Sequence, residues 1–122
     1  MLRKFFPISG ANSSGVGFFV RTSPLIFFHY TANASAAVTR DITATAVNGS
    51  GSYTYAWVLD ADAGVAITAG AATATATIQV TGTGAPAIFH GVATVTATDT
   101  ATGQTATWEL TIEVQCGGSG PV

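Results

Sequence analysis

Alternation of apolar and polar residues with a period of two runs through most of the chain beyond residue 33, and it constrains the fold more than any other feature. Successive side chains of a β-strand point to opposite faces, so this pattern predicts strands with one buried face. The clearest case is residues 108–114, where large apolar residues alternate with Glu109, Thr111 and Glu113. No segment of useful length has the spacing of an amphipathic helix. The sequence therefore predicts an all-β fold.

Glycine-containing turns at residues 48–52, 60–64, 82–86 and 99–103 separate the alternating runs. Six or seven strands delimited in this way predict an antiparallel sandwich of two sheets over one core. Alanine occupies many of the inward positions and contributes little apolar burial. We therefore expect the larger inward side chains to supply most of the core, and these are Tyr55, Trp57, Val95, Trp108, Leu110 and Ile112.

Two stretches carry a family resemblance: "GSYTYAWVLDAD" and, further on, "GVATVTATDTATGQTATWELTIEV". They resemble the C strand and the F–G hairpin of an immunoglobulin-like domain of the PKD or bacterial and phage Ig-like types, over residues 33–115. The resemblance implies an Ig-like antiparallel β-sandwich of about seven strands in which Trp57 is the core tryptophan of strand C. The chain has Ala44 and Val95 or Ala97 where antibody domains carry a disulfide, and Val58 in place of the aspartate of the PKD motif.

The first 32 residues contain six of the seven phenylalanines, in three adjacent pairs. Proline and glycine residues oppose regular structure there, so we expect an irregular N-terminal arm. In an extended chain each pair directs its rings to opposite sides, which lets one ring cover the sandwich while the other meets a partner. The alternative is that the arm only completes the core of its own domain. The expected partner-binding residues are Phe5, Phe6, Phe18, Phe19, Phe27 and Phe28, with Arg3, Lys4 and Arg21.

Three segments are thus expected: a docking arm at residues 1–32, the sandwich at 33–115 and a flexible glycine-rich tail at 116–122 that contains Cys116. Only 8% of the residues are charged, against an average of about 25%. The four basic residues form no dense patch, which argues against nucleic-acid binding. No apolar stretch approaches the ~20 residues of a membrane span, and residues 1–15 lack the continuous apolar core of a secretory signal.

Chemical candidates are few. His29 and His90 are the only histidines, and neither lies in a recognisable catalytic motif, so the chain is not expected to be an enzyme. Asp60 and Asp62 could converge on a calcium ion, but turn formation explains the same residues, and no other acidic cluster completes a ligand set. We therefore expect neither a metal nor a cofactor.

A weakly charged Ig-like module with an aromatic arm resembles the structural proteins of tailed bacteriophages. The resemblance implies a virion protein assembled in the host cytoplasm, specifically a capsid decoration or cement protein anchored by its arm. Its expected partners are other virion subunits, such as the major capsid or tail protein, with further copies of itself in the assembly. A phage tail or neck protein is one alternative, and a bacterial surface adhesion or carbohydrate-binding Ig-like module is another.

Overall fold

A computed structural model describes residues 17–118, which contain eight strands and no helix. The all-β prediction is therefore confirmed for this part of the chain. Across the same residues, no helix meets the length and hydropathy that crossing a membrane requires. The strands are β1 (Phe19–Ser23), β2 (Phe27–Thr31), β3 (Ala37–Val47), β4 (Tyr53–Ala61), β5 (Val65–Ala69), β6 (Thr75–Thr81), β7 (Ala87–Asp99) and β8 (Thr105–Cys116).

The strands form two four-stranded sheets that pack together as a sandwich, as predicted. We call the sheet with the order β1-β3-β6-β5 the first sheet, and the sheet with the order β2-β8-β7-β4 the second sheet. All neighbouring strands are antiparallel except β2 and β8, which are parallel. The long β7–β8 hairpin forms the centre of the second sheet, because β4 and β2 add to its two sides.

Inward side chains of both sheets form one core, as their alternation requires. Trp57, Val95, Leu110 and Ile112 are buried, while Tyr55 and Trp108 are partly buried against them. Four alanines at the middle of the sandwich are almost or fully inaccessible, namely Ala44, Ala76, Ala93 and Ala97. Large side chains nevertheless outnumber these alanines, because the core also contains residues beyond the expected set, namely Val20, Phe27, Ile42, Ile78, Val80, Phe89 and Val114.

The N-terminal boundary expected at residues 32/33 needs correction. Strand β1 pairs with β3, with Val20 opposite Ala46, and β2 pairs with β8, with Phe27 opposite Ile112. Residues 24–26, which begin with a cis Ser23–Pro24 bond, carry the chain from the first sheet to the second. Main-chain pairing therefore makes residues 19–31 part of the sandwich, whereas residues 1–16 of the expected arm lie outside the described residues.

The C-terminal boundary also moves. Cys116 was expected in a flexible tail, but it is the last residue of β8, pairs with Ala87 of β7 and is fully buried. The next residue, Gly117, donates its N–H to the Thr31 carbonyl over 2.7 Å. These contacts order the chain up to this point, and residues 119–122 lie outside the described part.

Candidate functional site

The outward face of the second sheet brings together side chains from all four of its strands and from the turn after β4. The register places Phe28 opposite Glu113, and Glu113 opposite His90. Asp62 continues this row across the sheet, because its N–H donates to the His90 carbonyl over 2.9 Å. The adjacent row contains Thr111, Val92 and Asp60. We call these seven residues the second-sheet face.

An open groove of about 390 Å³ runs between these two rows. Its floor includes Gly91, where a side chain would lie 2.6 Å from the Ala61 Cβ atom. Gly91 occupies an inward position of β7, so the absence of a side chain there lets β7 and β4 approach closely on the inner side of the sheet. The lining residues are Asp60, Ala61, Asp62, His90, Gly91, Val92, Thr111 and Ile112.

His90 lies between two carboxylates on this face. Its Nδ1 atom is 3.7 Å from Asp62 Oδ2, and its Nε2 atom is 3.7 Å from Glu113 Oε1. The His90 main-chain N–H also donates to Asp62 Oδ2 over 2.8 Å, which fixes the Asp62 carboxylate against β7. All three side chains remain well exposed, so each ion pair contributes little to stability even when the imidazole is protonated. The arrangement mainly concentrates negative charge at the groove.

Asp60 and Asp62 do not share one loop. Asp60 belongs to β4, whereas Asp62 follows the strand and accepts a turn hydrogen bond from the Val65 N–H over 3.2 Å through its carbonyl. Within residues 17–118, no three His, Cys, Asp or Glu side chains are grouped so that they could hold a metal ion. The turn therefore accounts for Asp62, and the carboxylate of Asp60 stays at the groove.

The second sheet also carries most of the exposed large apolar side chains in residues 17–118. Phe28 is 57% exposed, Val58 68% and Ile88 48%, and Val92 is also exposed; all four point outward from this sheet. Leu25 and Ile26 are exposed immediately before β2. Exposed apolar side chains that share one face of a sheet make that face a candidate interaction surface.

Charge divides between the two sheets. Four of the six carboxylates of the chain, those of Asp60, Asp62, Glu109 and Glu113, lie on or beside the outward face of the second sheet. The two basic residues of the described part, Arg21 and Arg40, belong to β1 and β3 of the first sheet. The outward face of the second sheet is thus both apolar and negatively charged.

The two phenylalanine pairs within residues 17–118 direct their rings to opposite sides. Phe18 is half-buried, and its ring stacks on Tyr53 with the ring centroids 5.7 Å apart, while Phe19 is exposed. Phe28 is exposed, but Phe27 is fully buried, and the Arg40 guanidinium lies 5.3 Å from the centroid of its ring.

The expected partner-binding set changes accordingly. Phe27 is a core residue and is removed from the set, because its ring is fully buried and not accessible to a partner. Arg21 is exposed on β1. Arg3, Lys4, Phe5 and Phe6 lie outside the described residues.

Asp99 is a buried polar residue that sequence analysis assigned only to a turn. It ends β7 at an inward position with no exposed surface. The Ser50 hydroxyl donates to its Oδ1 atom over 2.6 Å, the Ser50 N–H to Oδ2 over 2.7 Å and the Ala101 N–H to Oδ1 over 3.0 Å. The carboxylate thus joins the loop at residues 48–52 to the β7–β8 turn.

The hydrogen bond from the Ser50 hydroxyl lowers the pKa of Asp99 most strongly. Burial opposes it by raising the pKa, and main-chain N–H donors from Ser50, Ala101 and Thr102 lower it further. The net pKa lies below the usual value of an aspartate, so this residue stays ionised and holds the two loops together at neutral pH. Its role is structural.

The second-sheet face was not predicted as a unit from the sequence. The only available signal was the presence of Ile88, His90 and Val92 at outward positions of a strand whose later outward positions, from Thr94 to Thr98, are all threonine. Comparison of the chain with protein-family models, curated proteins and solved structures gave no significant match.

Proposed function

We propose that this protein is a structural subunit of a bacteriophage particle, and specifically a capsid decoration or cement protein. Its sandwich projects as a compact module, and it attaches to other virion subunits through its N-terminal segment and exposed apolar surface. A position in the tail or neck is the alternative within the same class.

Strand order supports the immunoglobulin-like part of this proposal. Constant-type immunoglobulin domains place strands A, B, E and D in one sheet and C, F and G in the other. With β1 as A, β3 as B, β6 as E and β5 as D, the first sheet has this order. With β4 as C, β7 as F and β8 as G, the second sheet has it as well, and β2 adds one parallel strand beside β8.

The observation that carries the proposal is the exposed apolar face of the second sheet. Phe28, Val58 and Ile88 are each about half exposed or more on a domain in which only 8% of residues are charged. A free monomer normally relies on surface charge for solubility and hides patches of this kind. Burial of the face against a neighbouring subunit removes the apolar surface from water, so an assembled state suits this surface better than a solitary one.

The docking residues of the proposed anchor are those that can reach a partner. They comprise Arg3, Lys4, Phe5 and Phe6 of the N-terminal segment together with the exposed rings of Phe19 and Phe28. Deletion of residues 1–16 leaves all eight strands in place, whereas a deletion that extends to residue 28 removes β1 and part of β2.

The proposal is tested by following the chain through density-gradient purification of the phage particles produced with it. We expect the full-length chain to sediment with intact particles at a constant ratio to the major capsid protein. Immunogold labelling distinguishes heads from tails and necks. The variant lacking residues 1–16, with its fold checked by circular dichroism, should remain in the soluble fraction. A full-length chain that stays in the soluble fraction contradicts the proposal.

Carbohydrate binding is a second candidate, which the exposed ring of Phe28 favours. This ring lies in one row with Glu113 and His90, so an aromatic surface is adjacent to hydrogen-bonding groups beside an open groove. Binding sites for small polar ligands combine an apolar wall with a few such polar groups. A glycan array separates the two functions: reproducible binding that the Phe28→Ala variant loses would favour the carbohydrate-binding module.

A further inference from the structure

We propose that the second-sheet face binds residues 3–6 of a second copy of this chain, the sequence Arg3-Lys4-Phe5-Phe6, so that copies link through this contact. This inference extends the N-terminal docking role given above and names its partner. It is tested on the purified protein, so the result does not depend on whether the protein binds a phage particle.

The apolar side of the contact comes from Phe28 and Val92. Both are exposed and flank the row of polar side chains at the groove, with Phe28 on β2 and Val92 on β7. Aromatic rings from an incoming segment can pack on these side chains and cover them. Phe5 and Phe6 are the only adjacent phenylalanines of the chain outside the described residues.

The charged side of the contact comes from Asp60, Asp62 and Glu113. Their carboxylates line or adjoin the groove, and the outward face of this sheet carries no lysine or arginine among the described residues. The four basic residues of the chain include one adjacent pair, Arg3 and Lys4, directly before Phe5 and Phe6. Two cations followed by two aromatic rings thus complement a face that combines carboxylates with exposed apolar side chains.

The positions of the chain ends favour a second copy over the same copy. Phe18 stacks on Tyr53, which pairs with Asp99, and Asp99 lies nine residues along β7 from His90, or about 30 Å at the rise of a strand. The eleven residues from Phe6 to Gly17 span at most about 36–40 Å. Reaching the groove of the same copy therefore requires a segment stretched to at least about three quarters of its full length, which costs conformational entropy. A neighbouring copy imposes no such restriction.

Lys4 is the only lysine of the chain, which allows a site-specific test by cross-linking. A carbodiimide activates a carboxylate, and an amine in contact with it displaces the urea to form an amide. Full-length protein labelled with ¹⁵N is mixed with unlabelled protein, treated with the carbodiimide and analysed by mass spectrometry. We expect cross-links from Lys4 to Asp60 or Glu113 that join a labelled to an unlabelled chain. Cross-links confined to one chain, or their absence from this face, overturn the proposal.

Charge reversal provides the second test, measured by sedimentation velocity on the full-length protein. One variant carries Arg3→Glu and Lys4→Glu, and the other carries Asp60→Lys and Glu113→Lys. We expect each variant alone to associate at least about tenfold more weakly than the wild type, since attraction becomes repulsion at two positions. Asp41→Lys changes the same charge on the outward face of the first sheet and should leave the association constant within about twofold.

An equimolar mixture of the two charge-reversed variants tests whether the N-terminal segment of one copy contacts the second-sheet face of another. The acidic segment of the first variant then meets the basic face of the second, and the basic segment of the second meets the acidic face of the first, so association should return. Reversed variants that associate as strongly as the wild type, or a mixture that stays dissociated, overturn the inference. So does a wild-type chain that sediments as a monomer up to about 1 mM. None of these outcomes depends on particle binding.

Discussion

Phe27 and Phe28 are adjacent and identical, yet the structure assigns them opposite environments. Phe27 is fully buried, so Phe27→Ala removes the transfer free energy of a buried ring and leaves a cavity, which together cost about 3–5 kcal/mol. Loss of the contact with the Arg40 guanidinium contributes up to about 1 kcal/mol within that range. Phe28 is 57% exposed, and we expect Phe28→Ala to lower the free energy of unfolding by less than about 1 kcal/mol.

Urea denaturation, followed by tryptophan fluorescence, measures both variants under identical conditions. Because domains of this size unfold with a total free energy of about 5–15 kcal/mol, Phe27→Ala should lose a large fraction of the stability. Its melting temperature should fall by roughly 12 °C or more, at about 4 °C for each kcal/mol. The reasoning fails if the two substitutions cost the same, because β2 then does not present Phe27 to the core.

Three further predictions concern single side chains. Asp99→Asn should lower the free energy of unfolding at pH 7. The folded-state pKa of Asp99 lies below its unfolded value of about 3.9, so the stabilisation by the ionised carboxylate is present above about pH 3.9 and is lost as the pH falls through the folded-state pKa. In urea denaturation measured from pH 2 to 7, the free energies of unfolding of the variant and the wild type should therefore converge at the acid end. A difference that stays constant over this pH range would contradict this. Trp57→Phe removes the 2.8 Å hydrogen bond donated by the indole nitrogen and should cost about 1–3 kcal/mol by urea denaturation. Trp108→Phe is its control and should cost less, since the Trp108 nitrogen has no hydrogen-bond partner in the described residues; the opposite order would refute the argument. Burial raises the pKa of the Cys116 thiol, so Ellman's reagent should label it only as fast as the protein opens, and rapid labelling of native protein would contradict its placement.

Alternation within single strands was sufficient to predict much of the fold. Trp57 and Leu110 lie in rows of period two, and each row has one face that can be buried, so their inward position follows from local geometry. The turns were equally visible, because glycine and aspartate interrupt each row. The short segment Val65–Ala69 also alternates and forms a strand, β5.

Strands β1 and β2 were missed because their pairing is not local. Each has five residues, and Pro24 separates them, so neither shows a long alternating row. Strand β2 pairs in parallel with β8, whose sequence lies more than 80 residues away, and no local pattern specifies such a partner. The phenylalanines of these two strands were therefore assigned to an irregular N-terminal arm.

The candidate site was missed for a related reason. His90 and Glu113 are separate polar residues in the sequence, and they become neighbours only through the register between β7 and β8. Asp99 belongs both to a turn-forming series and to the inward row of β7, and composition alone favoured the turn. The pairing of strands determines which side chains become neighbours across a sheet, and this pairing cannot be predicted from a single sequence.

The N-terminal strands also determine how much of the chain proteolysis can remove. β1 and β2 are the outermost strands of the two sheets, and they cover the open hydrogen-bonding edges of β3 and β8. Cleavage before residue 19 leaves both edge strands in the chain. Cleavage after residue 31 separates β1 and β2 from the rest of the chain, and their loss exposes the edges of two long strands, so the remaining fragment is prone to pair with other strand edges. A protease that trims the N-terminal side of this protein and leaves both strands in place must therefore cut before residue 19.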